Sequence, residues 1–369
     1  MKPNLLVPIV SRTNYSKLRP IVRKLNERTD IRTSVLLSSG IVLRKLTDGA
    51  KDIYEDGLEV LHELDCLLMN DTLESMVKSL GVSLIDHATV FSKSKPNGLL
   101  VVGDRYDMLG PVITAMMMNI PIFHIQGGEI SGTVDDIVRD IITRCAIRHY
   151  TSTIKSTEKV KRLVGENGVF HTGCPAVEFL MRLPISNELR VEKFHKHFKD
   201  DISLKPGEPY FIIIVHPDTT DPHDIDMNCL LDAALSFKYT CIVLHPNIDA
   251  YRENISKAIR QHRNKIICIS HAPLEDFVQL MAHSVCVIGN SSAGIREAAS
   301  FKVPVVNVGQ RQQGRERNNN TFDVICDYDE IKNAISRALL SRFSGENIYY
   351  KEGAIDFISQ DIVDYLLNR

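Results

Sequence analysis

Along the chain, short runs of Val, Ile and Leu alternate with longer stretches whose apolar residues recur at helical spacing. That pattern belongs to a parallel sheet whose strands are joined by crossover helices. It predicts strands over 4–10 (NLLVPIV), 33–37, 98–102, 121–125, 148–152 and 169–172 in the first half. In the second half it predicts them over 210–216, 239–245, 265–270, 285–289 and 303–309. Runs so rich in Val, Ile and Leu are those of strands covered on both faces. The expected fold class is therefore α/β, with two Rossmann-like doubly wound domains. The polar stretch 183–209, broken by Pro184, Pro206 and Gly207, puts the boundary between about 175 and 205. This gives a first domain over 1–180, a second over 181–352, and an amphipathic helix over 353–369 that packs back on the first. The apolar segment ITAMMMNIP, 113–121, is expected to be a core helix leading into a strand, with an oligomer interface as the alternative.

Composition narrows the function. Hydrophobic residues make up 44% and charged residues 24%, ordinary values for a protein with real cores. The 44 basic and 46 acidic residues are interspersed, giving a net charge of -2. No basic face for nucleic acid and no polybasic membrane patch is expected. The N-terminal MKPNLLVPIVSRTNYSK is too briefly apolar for a signal peptide or a spanning helix, so the protein is expected to be cytoplasmic. The eight cysteines form no C-x-x-C pair and several lie inside apolar runs, the usage of reduced, buried thiols rather than of a disulfide framework or a zinc site.

Ligands of open parallel sheets sit outside the carboxyl ends of the strands, so polar residues just past each strand are the candidates. After the first strand, Arg12 and Ser16 stand near a helix start, where unpaired amides favour anions. The alternative is plain helix capping by Asn14, with the helix beginning near Ser16 or Lys17. Asp104 in VVGDRYDML is either a ligand-binding carboxylate or a helix cap. The loop HIQGGEISGTVDD, His124 to Asp136, combines Gly127, Gly128 and Gly132, which permit close backbone approach to a ligand, with Glu129, Asp135 and Asp136. It has no D-x-D or calcium-loop spacing, so no metal site is expected. His216 ends the strand in FIIIVHPDTTD and can donate to a phosphate or titrate near neutrality. Most informative is VIGNSSAGIREA: Gly289, Asn290, Ser291, Ser292 and Gly294 open a helix as a cradle of amides and hydroxyls. Glu297, one turn inside that helix, suits a ribose diol. The cradle lacks the Lys of a P-loop and the G-x-G-x-x-G of a dinucleotide site.

Taken in order, VGDR, HIQGGEISGTVDD, HPDTT, LHPNIDA, NSSAGIREA and GQRQQGRE resemble the hydrolysing UDP-N-acetylglucosamine 2-epimerases, including bacterial enzymes of the sialic-acid and legionaminic-acid pathways. The likeness runs from Arg12 to about Arg317 and weakly beyond. It implies a glycosyltransferase-B type architecture with UDP in the interdomain cleft, no metal or other cofactor, and a homodimer or homotetramer. It implies anti elimination of UDP from a UDP-2-acetamido sugar, then hydration of the glycal to the 2-epimerised free sugar. By residue, Ser291 and Ser292 match the diphosphate site, Glu297 the ribose contact and Arg311 a position near the nucleotide. Arg12 and Ser16 match residues that reach the same ligand. His216 matches a position near the diphosphate or sugar, Asn247 one near the sugar, and His271 and Ala272 a segment lining the uracil. Asp104 and Asp135 match acids of proton transfer, with Glu129 and Arg139 at the same end.

The departures fall at the sugar end. The family usually has Glu where Gln126 stands in HIQGGE, Asp at Asn14, His at Val102 and His at Asp140. An amide can position a group but cannot accept its proton as a general base near neutral pH. Four changes together point to natural divergence rather than an introduced substitution. Two other functions are compatible with the same motifs: a UDP-sugar binding protein without turnover, and a retaining glycosyltransferase of the same fold.

Overall fold

The computed structural model describes residues 2–43, 50–68, 72–131, 134–194, 204–218, 221, 223–246, 251–269 and 272–369. It contains two compact units, one of Met1–Ile130, Val134–Phe179 and Tyr349–Arg369, the other built on Leu180–Ile348.

The first unit holds strands β1 (Asn4–Ile9), β2 (Arg32–Ser38), β3 (Glu59–Leu64), β4 (Gly98–Val102), β5 (Ile122–Ile125), β6 (Arg148–Thr151) and β7 (Val169–His171). They form one parallel sheet in the order β3-β2-β1-β4-β5-β6-β7. The helices over this part of the chain are α1 (Arg12–Asn26), α2 (Lys51–Glu55), α3 (Leu73–Ser94), α4 (Leu109–Met117), α5 (Val134–Cys145), α6 (Ile154–Val164) and α7 (Pro175–Arg182). The second unit holds β8 (Tyr210–Ile214), β9 (Thr240–Leu244), β10 (Ile267–Ile269), β11 (Cys286–Gly289), β12 (Val305–Val308) and β13 (Thr321–Val324), parallel in the order β10-β9-β8-β11-β12-β13. Its helices are α8 (Met227–Leu235), α9 (Arg252–His262), α10 (Leu274–His283), α11 (Ser292–Arg296) and α12 (Tyr328–Leu340). The chain ends with α13 (Ala354–Leu367).

In each sheet the strand order reverses once, between β1 and β4 and between β8 and β11. Those are the switch points at which doubly wound sheets open a crevice for ligands.

Each sheet is covered on both faces, which explains the uninterrupted apolar runs. In the first unit, Leu5, Val7 and Ile9 of β1 pack with α1 and with Ile355, Ile358 and Ile362 of α13. Leu6 and Leu99, pointing the other way, pack with Phe91, Val112 and Ile142 from α3, α4 and α5. The last helix is tied in by polar contacts as well. The Glu178 carboxylate accepts from the backbone N–H of Gly353 (2.7 Å) and Ile355 (2.8 Å), which supplies the missing cap of α13. Tyr150 donates to Asp361 at 2.7 Å.

Every strand read from the sequence is present, with ends shifted by a residue or two. β3 and β13 were not expected. Both are sheet edges, and neither contains a fully buried residue, so they lack the apolar run that marks an internal strand. The segment 113–121 also differs from expectation. Thr114 and Ala115 are buried, but Met116, Met117 and Met118 are exposed. All eight cysteines are free, five of them buried. No helix among the described residues is long and apolar enough to cross a membrane.

Candidate functional site

In the first unit the polar residues collect past β1, β4 and β5. Ser11 caps α1: its side chain accepts from the Asn14 N–H at 3.2 Å. The helix therefore begins at Arg12, four residues earlier than the sequence suggests, and Asn14 is not its cap. Asn14 is buried inside the first turn, and its amide nitrogen donates to the Val102 carbonyl at 3.4 Å. This ties the start of α1 to the end of β4, two residues before Asp104. Arg12 and Ser16 stand on the same first turns, both half-buried, with the Ser16 hydroxyl donating back to the Thr13 carbonyl at 3.1 Å.

Arg139 organises the acids. Its side chain, on α5, is 1% exposed. One terminal nitrogen pairs with the Asp104 carboxylate. The other pairs with Asp136 at 2.5 Å and donates to the Glu129 carbonyl. Burial alone would lower the guanidinium pKa, but the carboxylates of Asp104, Glu129 and Asp136 outweigh it and the shift is upward. Glu129, itself buried, is held by the Ser152 hydroxyl at 2.9 Å. A buried guanidinium facing several carboxylates fixes where each of them points. Asp135 is half-buried on the first turn of α5. Asp140, one residue past Arg139, instead pairs with Lys159 at 2.9 Å.

Gln126 belongs to a neighbouring group. It is 2% exposed and takes the left-handed conformation, with φ +69°. Its backbone N–H donates to the Tyr150 carbonyl at 2.9 Å, and its side-chain amide approaches the buried Cys174 sulfur at 3.5 Å. The two glycines after it make room for close packing within the unit. A Cβ on Gly128, at φ +80°, would lie 2.3 Å from the Ser156 carbonyl of α6. One on Gly127 would press on His124 and Thr143 at 3.2 Å. Gly132 lies outside the described residues.

In the second unit Asn290 ties the loops together at the β8/β11 switch point. Its side chain binds the main chain of His216 at both ends, accepting from the N–H and donating to the carbonyl, each at 2.8 Å. Its own carbonyl accepts from Arg311 and from Gln312, each at 3.1 Å. Gly289 precedes it at φ +133°, where a Cβ would lie 2.1 Å from the Ile214 carbonyl, so only glycine fits. Ser291 caps α11, accepting from the Ala293 N–H at 3.3 Å, and Ser292 opens the helix. Gly294 lets α11 sit on β12, since its Cβ would touch Val305 at 3.0 Å. The helix is only five residues long, so Glu297 is its C-cap and not a residue one turn inside. Ala272 is half-buried just before α10. Asn247 and His271 lie outside the described residues.

The structure thus brings Asp104, Glu129 and Arg139 together in one unit and His216, Asn290 and Arg311 in the other. Gln312, Ser152 and Cys174 escaped the sequence analysis. The repeated polar residues of GQRQQGRE and the small residues of YTST and TGCP carried no spacing signal. Removing the Asn290 side chain would remove both of its hydrogen bonds to the His216 main chain at the switch point. Asn290→Ala is expected to lower stability by about 1–3 kcal/mol in urea unfolding, the range for leaving buried hydrogen-bonding groups unmade.

Three histidines of the first unit are buried and held neutral. Burial lowers His124 to about 3 and His87 and His149 to about 4. Their ordinary value lies near 6.5, so their stabilising contribution is complete above that pH. Below it, the unfolded chain takes up protons that the folded chain refuses. Stability is expected to fall as pH drops from about 6.5 toward 4, by up to ~1 kcal/mol per pH unit for each histidine. Urea midpoints at pH 7.5 and 5.0 measure it, and a flat profile would mean these rings are not buried neutral.

The UDP-N-acetylglucosamine 2-epimerase family model matches residues 23–363. The UDP-N,N'-diacetylbacillosamine 2-epimerase (hydrolyzing) of Legionella pneumophila is 31% identical over 89% of this chain and 87% of its own length. Among solved structures, the UDP-GlcNAc 2-epimerase of Methanocaldococcus jannaschii, in complex with UDP-GlcNAc and UDP, aligns with TM-score 0.78 at 17% identity over 99% of this chain and 100% of that one. The Neisseria meningitidis enzyme bound to UDP-GlcNAc aligns with TM-score 0.78 at 17% identity over the whole of both chains. The two doubly wound units are therefore those of a glycosyltransferase-B type fold, and the chain belongs to the UDP-N-acetylglucosamine 2-epimerase family.

Proposed function

We propose that the protein hydrolyses a UDP-2-acetamido sugar to UDP and the free sugar inverted at C2. The class includes UDP-N-acetylglucosamine and UDP-N,N'-diacetylbacillosamine, the substrate in the name of the 31% identical relative. The observation that carries this is the gathering of Asp104 and Asp136 on the buried Arg139 at the carboxyl edge of the first sheet. Asp104, so held, supplies a carboxylate for the first step, which is to take a weakly acidic proton from C2 while the C1–O bond to UDP breaks. That step leaves a 2-acetamidoglucal and UDP. Water then adds across the double bond, its hydroxyl to C1 and a proton to C2 from the opposite face. Asp104 and Asp135 are assigned the proton transfers or their support. Glu129 and Arg139 are assigned to binding and orienting the sugar end, and Arg12 and Ser16 to the phosphate or nucleotide. Gly289 to Ser292 and Gly294 are assigned the diphosphate, Arg311 a place near the nucleotide, His216 a catalytic place at the diphosphate or the sugar, Glu297 the ribose, Asn247 the sugar, and His271 and Ala272 the uracil.

Gln126 supports a narrower reading as well. Its amide is anchored to Cys174 and has no basicity to offer, so any proton it would pass as a glutamate must travel by Asp104 or Asp135. If hydration alone depended on that glutamate, a glycal and UDP would accumulate. If both steps did, the protein would bind UDP-sugar without turnover. Measuring UDP and free-sugar release from both UDP-sugars, with the wild type and with Gln126→Glu, separates these outcomes. Free 2-epimerised sugar from the wild type supports the proposal. Unreacted sugar from both proteins, with UDP still bound, sinks it.

A further inference from the structure

The connection from β8 to α8 reaches across the second sheet. β8, β11, β12 and β13 are neighbours in that order, and the connection is tied just past the carboxyl end of each of the three strands beyond its own. His216 is bound through its main chain to Asn290 after β11. The Asp224 carboxylate accepts from the Gln310 N–H at 2.7 Å after β12. The Asp226 N–H donates to the Cys326 sulfur at 3.2 Å after β13. Asp226 also caps α8 with its side chain. Asp224 lies outside that helix and turns its carboxylate to the loop after β12.

That loop begins Gly309, Gln310, Arg311. The Arg311 N–H is a second donor to the same carboxylate, so two successive amides converge on it as in a backbone anion nest. Gly309, at φ +78°, makes the room: a Cβ there would lie 2.2 Å from the carboxylate oxygen. The charge is held against resistance. Burial pushes the Asp224 carboxyl up, and Asp218 and Asp221 push it the same way. What the nest fixes is the main chain of Arg311, whose side chain donates to the Asn290 carbonyl at 3.1 Å. The arginine is thereby held at both ends, and because a guanidinium is a rigid planar fork, its direction at the switch point is fixed too. On the reading that places Arg311 near the nucleotide, we infer that Asp224 is a positioning residue for UDP, holding the Gly309–Arg311 turn so that Arg311 meets the nucleotide already oriented.

Calorimetric titration with UDP across a double-mutant cycle tests this. Asp224→Ala is expected to weaken UDP binding about three- to tenfold, the cost of ordering one long side chain on binding. In an Arg311→Ala background the same change is expected to have no further effect, since the two residues act as one unit. Asp224→Asn, which keeps an acceptor at the same place, should recover part of the affinity. A residue that only braced the fold would move the urea midpoint and leave these affinities in place. If Asp224→Ala fails to fold, Asp224→Ser, too short to reach the turn, takes its place in the cycle. Unchanged affinity in Asp224→Ala, an equal loss with and without Arg311, or an Arg311→Ala protein that binds UDP as the wild type does would each overturn the inference while leaving UDP binding itself intact. A wild type that does not bind UDP would overturn the nucleotide reading and the inference together.

Discussion

Asp104→Asn is expected to slow turnover of a UDP-2-acetamido sugar by about 100- to 10,000-fold, the usual range for losing a positioned proton-transfer group, while leaving UDP affinity within about twofold. The asymmetry follows from where the residue stands. Asp104 is held by Arg139 in the first unit, whereas the strand-end loops tied by Asn290 belong to the second. Asparagine keeps the size of the side chain and one acceptor but cannot take a proton. Turnover measured by UDP release, beside calorimetric titration with UDP, gives both numbers. Parallel loss of affinity and rate would assign Asp104 to nucleotide binding instead. An unchanged rate would remove it from the chemistry.

The second large effect concerns stability. Arg139 is the cation among Asp104, Asp136 and Glu129. Replacing it by methionine keeps the length and the packing but leaves negative charges facing one another at a poorly hydrated place. Arg139→Met is expected to cost about 3–5 kcal/mol, the scale seen when one partner of a buried ion pair is removed. Urea unfolding followed by tyrosine fluorescence reads the loss. Arg139→Lys should recover only part of it, because an ammonium cannot bridge two carboxylates with the planar fork of a guanidinium. A cost below about 1 kcal/mol would mean that water, not Arg139, satisfies the acids.

Most of the fold was legible because the strands at the middle of each sheet, such as β1, β4, β8 and β11, are buried and largely apolar. β3, with Glu59, His62 and Glu63 among its six residues, and β13 are edge strands that face solvent and so lost the signal. The candidate site was legible as a set of strand ends but not as a network. That Asp104 and Arg139 meet depends on how far α5 projects past β4, which spacing does not encode. Asn290 was read as part of a phosphate cradle. Its grip on the His216 main chain is a tertiary fact. Gly128 looked like an opening for ligand and proved to be room for a carbonyl of α6, since a glycine records that space is needed and not what fills it. Glu297 fell outside the helix assigned to it because α11 ends after five residues, and short helices leave no periodicity to read. The exposed methionines at the end of α4 show the converse limit, since an apolar run is not always buried.

Elimination followed by hydration makes a specific demand on the substrate carbon. The C2 hydrogen must leave as a proton and be replaced from solvent, so the free sugar released in heavy water must carry deuterium at C2 and the inverted configuration there. Proton NMR of the wild type with each UDP-2-acetamido sugar in heavy water is therefore the most direct test, run beside Gln126→Glu. The expected spectrum shows UDP and an epimerised free sugar whose C2 proton signal is missing. Release of a free sugar that keeps its C2 proton and its configuration would mean simple hydrolysis of the glycosyl bond and would contradict the proposed chemistry.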